Sequence, residues 1–197
     1  IIESSKKLLT MMGIPYIEAY GEGEAQAAYL VENGDAWAVA SQDYDCLLFG
    51  AKRVVRNLAI NSNLGDLEYY NLKRVLDELD INREQLIDMG ILIGTDFSEG
   101  LKGVGAKTAL KLAKKGELEN KLAKLQEESS HDISEVREIF LNHNVNTDYK
   151  IRWKKPAKND IIDFLCEEHG FSQDRVSKAC DKLKNLNSSQ KSLEDWF

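Results

Sequence analysis

With 197 residues, 43% of them hydrophobic, the chain is long enough to bury the core of one substantial domain, with room for a small helical annex. A formal net charge of −7 excludes a uniformly basic coat for nucleic acid or membrane, and three cysteines without a C-x-x-C pair exclude both a disulfide framework and a cysteine zinc site. No apolar run approaches a membrane span and no signal-peptide pattern is present, so an intracellular protein with no membrane partner is expected, cytoplasmic in a prokaryote or nuclear in a eukaryote.

The chain begins on Ile1, without a start methionine, and is helix-like at once, as a chain entered midway would be. Apolar residues at Ile2, Leu8, Leu9 and Met12 predict an amphipathic helix stopped by Gly13 and Pro15. PYIEAY then reads as a short strand. The alanine-rich EGEAQAAYLVENG, ending at Gly34, reads as a helix, and Ala36 to Ser41 as a strand buried on both faces. Strand, helix and strand in this order predict a β-α-β unit with parallel strands, whose ligands lie beyond the strands' carboxyl ends.

Both acidic pairs fall there. Glu22 and Glu24 follow the first strand, and Asp43 and Asp45, in VASQDYDCLLFG, follow the second. Two carboxylates one residue apart repel each other and are costly to desolvate, a conflict that a hard dication such as Mg2+ removes. The competing reading is that Asp43 and Asp45 cap the following turn and helix, and that the glutamates supply favourable charge to a first helical turn. Residues i and i+2 of a helix diverge by about 200°, so both glutamates reach one site only if Glu22 lies at or before the helix start.

Arg53 to Leu58 is a further strand, followed by a polar loop through Asn61, Asn63 and Gly65. LEYYNLKRVLDELD and NREQLIDMGILIG read as helices, and Asp96 follows in GTDF, either a cap or a fifth carboxylate for the cluster. In LKGVGAKTALKLAKKG, Gly103 and Gly105 precede an alanine-rich helix that carries Lys107, Lys111, Lys114 and Lys115, with Lys102 before it. Such a hairpin lets backbone amides approach a phosphate, although a plain tight turn with a solvated lysine face has the same sequence. From Glu117 to Gly170 the pattern is helical with charged faces, broken near Asn142 to Thr147 and at Pro156. Ser172 to Leu186 is a last helix, and Asn187 to Ser189 release it into a tail. There Leu193, Trp196 and Phe197 share one face of a helical turn, as interface anchors do. The three histidines, His131, His143 and His169, show no metal-ligand spacing.

Taken together, the strings MGIPYIEAYGEGEAQAAYL, SQDYDCLLFG, RVVRNL, GTDF, GLKGVGAKTAL, EIFLN, FLCEEHGFS and the tail resemble the flap endonuclease family, structure-specific 5′ nucleases of DNA replication and repair, in its archaeal form. The resemblance implies an α/β parallel-sheet, PIN-like 5′-nuclease core with a helix-two-turn-helix element and a helical carboxyl-terminal part. The divisions would be residues 1–95 for the core, 96–186 for the DNA-binding helices and 187–197 for the tail. It implies Mg2+-dependent phosphodiester hydrolysis at 5′ flaps or single-strand to double-strand junctions, with two Mg2+ ions on a cluster including Glu22, Glu24, Asp43, Asp45 and Asp96. DNA contacts would come from Lys102, Gly103, Gly105, Lys107 and Lys111 beside a K+ ion. A PCNA-like sliding clamp would take Gln190, Leu193, Trp196 and Phe197.

The chain departs from the family pattern in having Tyr20 and Gly21 where members carry Pro-Ser, and Gly100 where one branch carries a hydroxyl side chain. Members also begin with a region that supplies further aspartates and a helical arch, so these 197 residues alone are expected to bind metal weakly and cut DNA poorly. A non-catalytic DNA- and clamp-binding module and a PIN-like ribonuclease are the alternatives.

Overall fold

Helix α1 (Ile2–Met12) ends where its backbone meets another segment. Gly13 has φ +73°, and a Cβ built on it would stand 2.1 Å from the Lys154 carbonyl oxygen, so only glycine fits. The Gly13 and Ile14 N–H groups return to the Thr10 and Leu9 carbonyls at 3.1 and 3.0 Å, which satisfies the helix end. The Lys154 N–H donates to Gly13 at 2.9 Å, and that of Ala157 to Met11 at 2.8 Å. The computed structural model describes residues 1–58 and 66–189, with side chains as far as residue 183. It separates into two compact units, Ile1–Glu18 with Thr147–Phe197, and Ala19–Asn146.

In the first unit α1 is joined by α9 (Lys158–Ile162), its π-helical continuation Asp163–Glu168, and α10 (Gln173–Ser189). Buried Ile161, Val176 and Cys180 pack with Leu8, Met11, Met12 and Leu165. Helix α10 continues through Asn187 and Ser188, which were expected to release the chain, because extending an established helix by a residue costs far less than starting one. The tail residues Gln190, Leu193, Trp196 and Phe197 lie outside the described residues.

The second unit holds the sheet. Helix α2 (Gly23–Glu32) buries Ala25, Ala28 and Val31, and its buried Gln26 is paired in both directions with the Asn146 backbone, donating at 3.0 Å and accepting at 2.7 Å. Strand β1 is only Val39–Ala40, shorter than the expected Ala36 to Ser41. The reason is local: the Asp35 and Ala36 N–H groups donate to the Leu30 carbonyl at 2.9 and 3.1 Å, closing α2, and so are lost to a ladder. PYIEAY forms no strand among the described residues. Pro15 has no N–H to donate, and the three strands pair among themselves without that segment.

The three-stranded sheet, order β1-β2-β3, is therefore mixed rather than all parallel. β1 runs parallel to β2 (Arg53–Arg56), with Val39 opposite Val54 and Ala40 opposite Val55, across the short helix α3 (Asp45–Leu48). β2 runs antiparallel to β3 (Glu68–Asn71). Residues expected to open a helix at Leu67 are thus partly strand: adjacent Tyr69 and Tyr70 suit a pleated surface, and Asn71 starts α4 (Leu72–Leu79) by accepting the Arg74 N–H at 3.0 Å.

Helix α5 (Arg83–Ile93) opens on a reciprocal cap between Asn82 and Gln85, at 2.8 and 2.9 Å, and packs against α6 (Ala106–Lys115), α7 (Leu118–Glu128) and α8 (Ile133–Leu141). Arg83 donates to the Leu48 carbonyl at 3.1 Å and to that of Phe140 at 2.8 Å, joining the ends of α3 and α8. Arg137 of α8 holds the buried Asp88 of α5 at 2.7 Å and Glu84 at 3.0 Å. Burial pushes the pKa of Asp88 above the ordinary carboxylate value, although Arg137 works against this. Helices with a small mixed sheet make the architecture α/β. Among the described residues no helix is long and apolar enough to cross a membrane.

Candidate metal centre

The glutamates meet the condition that helix geometry sets. Glu22 precedes α2 in an extended conformation, φ −69° and ψ 134°, while Glu24 sits in the first helical turn. They are therefore not i and i+2 of one helix. Asp43 lies in the loop after β1, and Asp45 is the first residue of α3, with Tyr44 between them in helical conformation. The two aspartates are not aligned along an extended strand. A backbone turn joins them, in which the Asp45 N–H donates to Asp43 Oδ1 at 3.0 Å. One Asp43 oxygen thus holds the turn into α3, whose N-cap is Tyr44, while the carboxylate stays in the acidic group.

Ser41 binds the two pairs together. Its hydroxyl donates to Glu24 Oε1 at 3.5 Å and accepts the Asp43 N–H at 3.1 Å. Asp96 is presented by a tight turn after α5, where Thr95 and Ser98 exchange backbone hydrogen bonds at 2.8 and 3.2 Å. Burial pushes the Asp45 carboxyl up to about 6, and Asp43, Asp96, Glu24 and Glu22 all push it in the same direction. All five acids singled out in the sequence thus act on one point.

They share a field without closing into a shell: among the described residues no three acidic, imidazole or thiol groups converge as a ready ligand set. The donor chemistry suits Mg2+, which prefers oxygen ligands, keeps several of its waters and takes only one or two carboxylates directly. An open, oxygen-only, over-charged cluster fits such an ion. Cys46, beside Asp45, is buried, and burial pushes its thiol up to about 11, which disfavours the nucleophilic thiolate at neutral pH. Beside Glu22 lies a cleft of about 530 Å³ with Ala25, Phe49, Phe97 and Ile139 among its lining.

The glycine hairpin connects α5 to α6. Ser98, buried, donates its hydroxyl to the Ile91 carbonyl at 3.3 Å and accepts the Gly100 N–H at 3.3 Å. Gly100 has φ +73°, and a Cβ on it would stand 2.6 Å from the carbonyl carbon and oxygen of Ile93, so a hydroxyl-bearing residue has no place there. Gly103 and Gly105 differ: nothing lies within 4 Å of where their Cβ atoms would be, which leaves the approach to the start of α6 open. Lys102, Lys107 and Lys111 are exposed around it.

Sequence reasoning missed Ser41, Tyr44 and Arg56. Ser41 was legible as the polar end of an apolar strand. Arg56 was not, because its place beside Tyr44 depends on the parallel register of β1 and β2.

Residues 13–96 match the family model of the XPG I-region, a span that includes all five acids. Over 198 residues the chain is 56% identical to flap endonuclease 1 of Methanothermobacter thermautotrophicus, a match covering 100% of this chain and 60% of that relative. The flap endonuclease-1 structure from Methanococcus jannaschii superposes with a TM-score of 0.86 at 43% identity, over 95% of this chain and 59% of that one. Human GEN1 in complex with Holliday junction DNA follows at a TM-score of 0.77 and 25% identity, over 97% of this chain and 55% of that one. The chain spans about three fifths of the length of the flap endonucleases it matches, 60% in the first case. Matched along its whole length at that identity, and carrying the five acids within the span of the XPG I-region model, the chain is similar to flap endonucleases over the three fifths of their length that it spans.

Proposed function

We propose that this chain carries the metal-binding acids and the duplex grip of a Mg2+-dependent, structure-specific DNA nuclease that hydrolyses a phosphodiester at a 5′ flap or a single-strand to double-strand junction. The observation that carries this reading is the convergence of the other four acids on the half-buried Asp45, whose carboxyl they and burial together push up to about 6. A lone cap would not meet four like charges.

Glu22, Glu24, Asp43, Asp45 and Asp96 would hold two Mg2+ ions. Bound Mg2+ supplies an activated water and Lewis acidity toward the leaving oxygen. Asp43 and Asp45 act as ligands rather than general bases. Ser41 keeps Glu24 and the Asp43 backbone in one place. Residues 1–95 with Asp96 form the acidic part, and 96–186 grip the duplex. There the open backbone at Gly103 and Gly105 and the exposed Lys102, Lys107 and Lys111 take phosphates without reading sequence. A K+ ion at the hairpin would rely on backbone carbonyls, since Gly100 admits no hydroxyl side chain.

In a protein carrying this chain at the full length of its relatives, Asp43→Ala is expected to abolish Mg2+-dependent cleavage of a labelled 5′ flap while duplex binding persists. Loss of folding with loss of cleavage would favour a purely structural aspartate. The tail, residues 187–197, is proposed to bind a sliding clamp through Gln190, Leu193, Trp196 and Phe197. Clamp affinity measured before and after deletion of residues 190–197 tests this, and an unchanged affinity refutes it.

A further inference from the structure

The loop that carries Asp43 is held from outside itself. Arg56, the last residue of β2, donates from Nε to the Gln42 carbonyl at 3.1 Å and from Nη1 to the Tyr44 hydroxyl, and its guanidinium carbon lies 3.9 Å from the centre of the Tyr44 ring. Gln42 and Tyr44 are the residues on either side of Asp43. The other end of the grip is equally fixed. Arg56 pairs with Glu68 of β3 at 2.7 Å, and the Tyr70 hydroxyl donates to the same Glu68 oxygen at 3.0 Å while standing 3.3 Å from the Tyr44 hydroxyl. The Tyr44 and Tyr70 rings meet edge to face with centroids 5.6 Å apart.

The sheet register explains this placement. Ala40 lies opposite Val55 in the parallel pair, so Arg56 stands at the level where β1 gives way to the acidic loop, and in the antiparallel pair it faces Glu68. Its charge is committed to that partner. Among the described residues its ion pair is with Glu68 and not with any of the five acids. A cation beside an over-charged site that leaves the site's charge intact serves by geometry, and a planar fork of five donors suits that task where an ammonium does not.

Resting on the metal-site reading above, we propose that Arg56 is the positioning residue of that site: it clamps Gln42 and Tyr44 and thereby sets where Asp43 and Asp45 stand relative to Glu22 and Glu24. Arg56 does not touch metal or substrate. It acts through the loop.

The test compares wild type with Arg56→Gln, Arg56→Lys and Tyr44→Ala. In the metal-free chain, amide hydrogen exchange at Asp43 and Asp45 is expected to accelerate by about tenfold or more in all three variants, while Val54 and Val55 stay within about twofold. Mn2+ affinity, read by electron paramagnetic resonance, is expected to fall by about tenfold, and Arg56→Lys is expected not to rescue it. Exchange at Asp43 and Asp45 within twofold of wild type overturns the proposal. So does full rescue by lysine, which would make the role one of charge, or equal acceleration at Val54 and Val55, which would make it general stability. Wild type that takes no Mn2+ sinks the metal reading instead, and the exchange measurement still decides the role of Arg56.

Discussion

Asp45 meets burial and four like charges at one position, and this has a measurable cost. Its folded value of about 6 lies above its ordinary 3.8, so the folded chain binds the proton more tightly than the unfolded chain does. The unfavourable contribution is absent below about pH 4 and complete above about pH 6, and metal-free stability therefore falls as pH rises through that window. Because Asp45 is only half-buried, solvent screens part of the effect. Asp45→Asn is expected to remove this slope and to raise the metal-free unfolding midpoint at pH 8 by about 2–4 °C, which is ~1 kcal/mol for a chain of this size. Midpoints recorded from pH 4 to pH 8 for both proteins check it, and parallel profiles would refute it. A site that destabilises its own fold is the usual signature of function. At this scale much was legible: the five acids stand out because each follows a predicted element end. Whether Glu22 and Glu24 converge was not legible, since it depends on Glu22 lying one residue outside the helix.

Among the elements, those with strong local punctuation were readable. Gly13 ends α1, the Asn82–Gln85 cap opens α5, and Gly116 ends α6 in a left-handed conformation, all near where residue types place them. Elements whose limits depend on which partners their backbone groups find were not. PYIEAY has strand composition but no ladder, and Ala36 gives its N–H to the end of α2, so neither failure shows in local pattern. Glu68 to Asn71 is the intermediate case: helical periodicity runs across it, but adjacent tyrosines and an asparagine cap favour a strand that ends at a helix. The hairpin between α5 and α6 gives the element-scale prediction. Gly100→Ala places a Cβ against the Ile93 carbonyl group at a positive φ, and is expected to cost more than about 2 kcal/mol of stability. Denaturant unfolding measures it, and a loss below about 0.5 kcal/mol would show that the turn gives way freely.

Over the whole molecule, the charge pattern separates two tasks. The chain carries a net −7, yet the helix behind the glycine hairpin bears Lys107, Lys111, Lys114 and Lys115, all exposed and without an acid among the ten residues of α6. An acidic site and a basic helix in one compact unit suit a substrate whose backbone must be held in one place and charge-neutralised by metal in another. Each compact unit has its own buried cluster, Phe140, Ile87, Ile91 and Leu92 in one, Ile161, Val176 and Cys180 in the other. That the first unit draws on both ends of the described chain was not legible locally, because the Gly13–Lys154 pairing spans residues with no shared pattern. If the five acids form a divalent-metal site, calorimetric titration of Mg2+ into this chain reads its occupancy. The expected result is saturable binding that weakens by about tenfold or more, ~1.4 kcal/mol, in Asp43→Asn and in Asp45→Asn while both variants stay folded. Mg2+ binding that neither substitution changes would contradict it.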